Sequence, residues 1–159
     1  MPKLDIAMTD GEREEFLRTQ WTIRVATVDA GGLPHVVPLW FVWHGGYVFL
    51  NSTQGNVTVG NIHANPNVAG VVDDGHLYGQ LRGVLIHGTV ELMQLDDPEA
   101  EPADALWSQK YMGGNPTPYR RWKDRTWMRL APTKITSWDF RKIPEAKARA
   151  KARSGVGGG

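Results

Sequence analysis

The stretch Leu33-Pro34-His35-Val36-Val37-Pro38-Leu39-Trp40-Phe41-Val42-Trp43 decides how the chain is read. From His35 to Trp43 the residues are β-branched, aromatic or otherwise apolar at almost every position, so both alternating faces of a strand are apolar. A strand of that kind has to be covered on both faces. A barrel wall that also meets a second subunit satisfies the requirement, and a homodimer is therefore expected. Pro38 cannot donate to a ladder, which predicts a bulge or a break at that point.

The neighbours on either side extend the pattern. Thr22-Ile23-Arg24-Val25-Ala26-Thr27-Val28 is a compact β-branched run, and Asp29-Ala30-Gly31-Gly32 is a turn signal between it and the long strand. His44-Gly45-Gly46 turns the chain again and Tyr47-Val48-Phe49-Leu50-Asn51 returns, giving a meander. Upstream, Thr9 and Glu12 have capping-box spacing ahead of Glu14-Glu15-Phe16-Leu17, which predicts a first helix. Downstream, Gln54 to Asn65 reads as a helix with Val57, Ile62 and Ala64 inward, stopped by Asn65-Pro66.

Val68 to Val72 then reads as a strand. A long strand follows from Tyr78 to Leu95, with bulges or bends expected at Gly83 and Gly88. Asp96-Asp97-Pro98 ends it. Glu99 to Tyr111 reads as a helix, closed by Met112-Gly113-Gly114-Asn115-Pro116, and the acids at its start suit the helix dipole. Arg125 to Leu130 and Lys134 to Phe140 read as two closing strands around Ala131-Pro132. The expected organisation is one domain over 1–143 and a basic, Gly-ending tail over 144–159, a frayed helix with a disordered end.

Bulk properties exclude several classes. The chain has 159 residues, 41% hydrophobic and 22% charged, which suits one soluble globular domain with a core of its own. It has no cysteine, which rules out a thiol nucleophile, an iron–sulfur cluster and thiolate zinc, and fits a cytoplasmic location. The start Met1-Pro2-Lys3-Leu4-Asp5 leads to no apolar run, so no signal peptide is expected, and no stretch approaches the roughly 18 residues of a membrane span. Net charge is +1; between Arg141 and Arg153 six basic residues face the single acid Glu145, which leaves the rest of the chain at −4. Such a body gives no reason to expect a nucleic acid or membrane partner.

Chemical motifs are sparse. The five histidines, His35, His44, His63, His76 and His87, have no ligand spacing, so no metal site is expected. There is no GxSxG and no GxGxxG. Seven tryptophans are many for this length and suit core packing, interfaces or flat aromatic ligands.

At this point four pieces of sequence line up with a known family. Leu33 to Phe41, Asn51-Ser52-Thr53 followed by a helix with Asn61-Ile62 and then Asn65-Pro66, the run Arg82-Gly83-Val84 with His87-Gly88 and Glu91, and Ser137-Trp138-Asp139-Phe140-Arg141-Lys142 resemble, in that order, the pyridoxamine-phosphate-oxidase-like proteins, including the flavin/deazaflavin oxidoreductases. The resemblance covers residues 10 to 142. It implies a mainly β, six-stranded split β-barrel of the FMN-binding type, dimeric, with a cofactor in a groove between subunits. It implies FMN, or alternatively a deazaflavin coenzyme, acting on a small-molecule substrate. Haem is a further alternative, with His63 or His87 as axial ligand. The implied cofactor-binding residues are Val37, Pro38, Leu39 and Trp40 along the ring system; Asn51, Ser52, Thr53, Asn56, Val57, Thr58 and Asn61 toward the phosphate; and Arg82.

A helix N-terminus with free N–H groups suits a phosphate, and hydroxyl and amide groups add donors. The family's basic residues in this helix are absent, since Thr58 and Gly60 stand there; Arg24, Arg82 or a partner's Arg129 would have to compensate. Thr53 has a second reading as the helix cap. Tyr111, Tyr119, Arg120, Arg121 and Trp122 either line the substrate side or cover the barrel end. The alternative function is a non-catalytic protein that binds or sequesters a flavin or haem.

Overall fold

The structure is a computed structural model and describes residues 4–118 and 124–155. Helix α1 (Asp10–Thr19) begins at the expected capping box: the Glu12 N–H donates to Thr9 Oγ1 at 3.2 Å and the Thr9 N–H donates to Glu12 Oε2 at 2.7 Å. Strands β1 (Thr22–Val28), β2 (Pro34–His44) and β3 (Tyr47–Thr53) form the meander. Helix α2 (Val57–Ala64) leads to β4 (Asn67–Asp74), then come β5 (Arg82–Met93), α3 (Glu101–Tyr111), β6 (Arg125–Asp139) and α4 (Ile143–Gly155). The strands close into a six-stranded barrel in the order β1-β2-β3-β6-β5-β4, every pairing antiparallel. Its interior is filled by Leu17, Ile23, Val25, Phe41, Leu50, Ile86, Met128 and Leu130, all fully buried. A second cluster lies outside the wall, where Trp107 and Ala103 of α3 cover Val42, Phe49 and Trp127.

Several expectations are corrected. The chain from Arg125 to Asp139 is one strand, not two. It carries Pro132 through a register shift: Gly88 pairs with Pro132 and His87 with Lys134, so Thr133 bulges out of the ladder. Gly88 is required there, because a Cβ would stand 2.1 Å from the Ala131 carbonyl oxygen. Gly83 causes no bulge; it pairs regularly with Trp138, whose ring would meet a Cβ at 2.4 Å. Strand β5 starts at Arg82, since Tyr78–Gln80 forms a 3-10 turn. This turn packs on Gly75, where φ is +107° and the Gln80 carbonyl oxygen comes within 2.5 Å of an added Cβ.

In α2 the inward residues are Thr58, Val59, Asn61 and Ile62, while Val57 and Ala64 are exposed. Pro38 causes no register shift against β1, where it pairs with Arg24. The break falls on its other side, where β3 has left β2. Residues 143–155 are helical, with Ala146 buried against the body.

Candidate functional site

The ladder between β2 and β3 runs only from His44↔Tyr47 to Phe41↔Leu50. Continued, it would set Trp40, Leu39 and Pro38 opposite Asn51, Ser52 and Thr53. Instead β2 there pairs with β1 and β3 pairs with β6. The two strands diverge, and these six residues form the lips of the split in the barrel.

One lip is apolar. Val36, Pro38 and Trp40 point outward and are exposed; Val37 and Leu39 alternate with them and are half-buried, Leu39 against the core. Trp40 keeps 46% exposure although its ring stacks on Tyr111 at 4.4 Å with planes 6° apart. Tyr111 is itself fixed by the backbone. Its hydroxyl accepts from the Phe41 N–H at 3.0 Å and lies 2.6 Å from the Phe41 carbonyl and 2.7 Å from that of Trp21, to one of which it donates. Burial pushes its pKa up to about 12. Tyr111 therefore braces Trp40.

The other lip is polar. Asn56 is the N-cap of α2: its Oδ1 accepts from the Val59 N–H at 2.9 Å, and its Nδ2 lies 2.5 Å from Ser52 Oγ. Thr53 is thus not the cap. Its hydroxyl accepts instead from Arg125 at 3.2 Å, and Arg125 Nε donates to Asn51 Oδ1 at 2.8 Å. Arg125 stands directly across the β3–β6 ladder from Thr53. This places a guanidinium at the strand-to-helix junction, the cation missing from the helix itself. Asn51 is buried, yet its Nδ2 has no hydrogen-bond partner among the described residues. A buried amide left this way costs about 1–3 kcal/mol unless another group meets it.

The three arginines expected to compensate are already engaged by acids. Arg82 pairs with Asp74 at 2.6 Å and sits opposite Asp139, at the far end of β6 from Arg125. Arg24 is held by Asp73, and Arg129 by Glu91 and Glu99. Asn61 is buried and donates to Thr27 Oγ1 at 3.0 Å; Thr58 is buried and Val57 is exposed. His44, His63, His76 and His87 are exposed and His35 is half-buried. Among the described residues no group of three His, Asp or Glu side chains is placed to hold a metal ion. Among the described residues no helix is long and apolar enough to cross a membrane. Tyr119, Arg120, Arg121 and Trp122 lie outside the described residues.

A closed six-stranded barrel whose second and third strands part over a polar junction defines a split β-barrel protein. The chain belongs to the pyridoxamine 5'-phosphate oxidase family, whose model matches residues 9–139. Among solved structures it is similar to a conserved hypothetical protein, Rv2991, from Mycobacterium tuberculosis, at 26% identity over 91% of this chain and 92% of that one, with a TM-score of 0.76. It is similar to an F420 reductase at 29% identity over 77% and 94% of the two chains, with a TM-score of 0.61. It shares its fold with an FAD-binding protein from Mycobacterium smegmatis, at 22% identity over 84% and 98%, with a TM-score of 0.62. No curated protein matches the sequence.

Proposed function

We propose that this protein is an oxidoreductase that holds FMN, or a deazaflavin coenzyme, in the split between β2 and β3 and reduces or oxidises a small organic substrate there. The observation that carries the reading is the pair of lips: an exposed apolar one at Pro38 and Trp40, and a polar one where Arg125, Thr53, Ser52 and Asn56 converge on the start of α2. The donor set fits a phosphorylated flavin, since a guanidinium, hydroxyls and the free N–H groups of a helix start suit a phosphate. The similarity to an F420 reductase supports a hydride-transferring role.

When bound, such a cofactor supplies the hydride chemistry. The chain's own residues do the rest. Trp40, braced by Tyr111, gives a flat wall that orients a ring and keeps water from it. Arg125, held in place by Asn51 Oδ1, anchors the polar end. The apolar outward positions Val36, Pro38 and Trp40 remain exposed in the single chain, and we assign them to a homodimer interface that closes the groove.

The visible absorption spectrum of the purified protein, with FMN or a deazaflavin added where it is colourless, tests the cofactor. A bound flavin or deazaflavin band with reduction of a quinone or nitro acceptor supports the enzyme. A bound band without turnover points to a sequestering protein, and a Soret band alone overturns the flavin assignment. Sedimentation at monomer mass at micromolar concentration would defeat the interfacial groove.

A further inference from the structure

Lys110 is a half-buried ammonium with no carboxylate partner among the described residues. Arg18, Arg24, Arg82, Arg129 and Arg141 each pair with an acid. Lys110 donates instead to the carbonyl oxygens of Gln20 and Phe41 (the latter at 3.1 Å) and lies 4.5 Å over the Phe41 ring. Carbonyl dipoles and a ring face stabilise a cation without neutralising it. Burial, and next the charge of Arg18, push its pKa down to about 8, so it is mostly charged at neutral pH.

Both cations line one cleft of about 270 Å³ between α1 and α3, whose walls are otherwise Val42, Trp43, Leu106 and Gln109. The Lys110 charge, which no described carboxylate neutralises, favours an anion there, with the Glu15-paired Arg18 beside it. Arg18 shows how it would be held. It grips Glu15 with Nε at 3.1 Å and Nη2 at 2.8 Å, the two-pronged arrangement that suits a carboxylate. Both members of that pair are largely exposed, so an incoming carboxylate displaces a weak contact. Glu14, the other acid nearby, is engaged by the Trp43 indole N–H at 2.5 Å.

We propose that this cleft binds a small carboxylate with a flat apolar body, its charge on Arg18 and Lys110 and its body against Trp43 and Leu106. The cleft adjoins the brace of the apolar lip, since Lys110 shares the Phe41 carbonyl with Tyr111 and lies 5.3 Å from the centre of its ring, but it is lined by other residues than the split between β2 and β3 and does not depend on the cofactor reading.

Benzoate is a suitable probe, followed by amide and indole N–H shifts on titration into the purified protein. Saturable shifts at Arg18, Gln109, Lys110 and the Trp43 indole are expected, with none from benzyl alcohol. Lys110→Met should weaken benzoate by about tenfold or more, the loss of one charge-assisted contact. Arg18→Gln, at an exposed position, should do the same where Lys110→Met disturbs folding. No saturable shift, unaltered affinity in Arg18→Gln, or shifts confined to Asn51, Arg125 and the start of α2 would each overturn the proposal.

Discussion

Arg125 and Thr53 stand opposite each other across the β3–β6 ladder, and the guanidinium donates to the threonine hydroxyl at 3.2 Å. The pair closes a distance of 72 residues in sequence and puts a fixed positive charge at the start of α2. If that charge anchors a phosphate, Arg125→Gln should weaken FMN by about tenfold or more, as one charge-assisted hydrogen bond is worth 1.5–3 kcal/mol. Riboflavin, which lacks the phosphate, should bind as before. Fluorescence titration of the two flavins checks this, and parallel losses for both would remove the phosphate from this junction.

Asn61 should behave as a structural residue. Its amide is spent on Thr27 inside the protein. Asn61→Ala should cost about 1–3 kcal/mol of stability by stranding the buried hydroxyl. It should leave the ratio of FMN to riboflavin affinity unchanged. Urea unfolding beside the same titrations separates the two effects.

Gly88→Ala is expected to be among the more damaging small substitutions. The new methyl would press on the Ala131 carbonyl, which belongs to the paired backbone of β6 and cannot swing away. Overpacking of this kind typically costs about 1–3 kcal/mol. Gly11→Ala, with open space around it near the start of α1, serves as the control and should be stable. Thermal melts of both variants decide the matter.

Acid should loosen the end of the barrel where β6 closes. Asp139 is buried and accepts from Arg141 Nη2 at 2.5 Å, and that guanidinium holds its carboxyl below the usual range. Asp74, bonded to Arg82, is lowered in the same direction. A depressed folded pKa gives stability that is present above the unfolded value, about 3.9, and is lost as pH falls through the folded one. The melting temperature should therefore hold down to about pH 4 and drop below it. Asp139→Asn should melt lower at neutral pH and show a flatter acid limb.

What the sequence determined by itself was local. The Thr9–Glu12 box, β1 from Thr22 to Val28, the glycine turns and the long β2 follow from spacing, β-branching and the period of two, each acting over a few residues. Those pieces, in their order, carried the family resemblance, and it was the resemblance that implied the split barrel, whose closed six-stranded order the structure has. Tertiary structure decided the rest. Asn61 and Thr58 face inward while Val57, expected inward, faces solvent, and Thr27 of a distant strand satisfies the Asn61 amide. Pro132 does not split β6, because Gly88 on the facing strand leaves room for a bulge. The cation at the strand-to-helix junction is Arg125 and not Arg82, because only the ladder register fixes which basic side chain arrives opposite Thr53. Long-range pairing of that kind has no periodic signal in the chain, since it depends on the register of strands that are far apart in sequence.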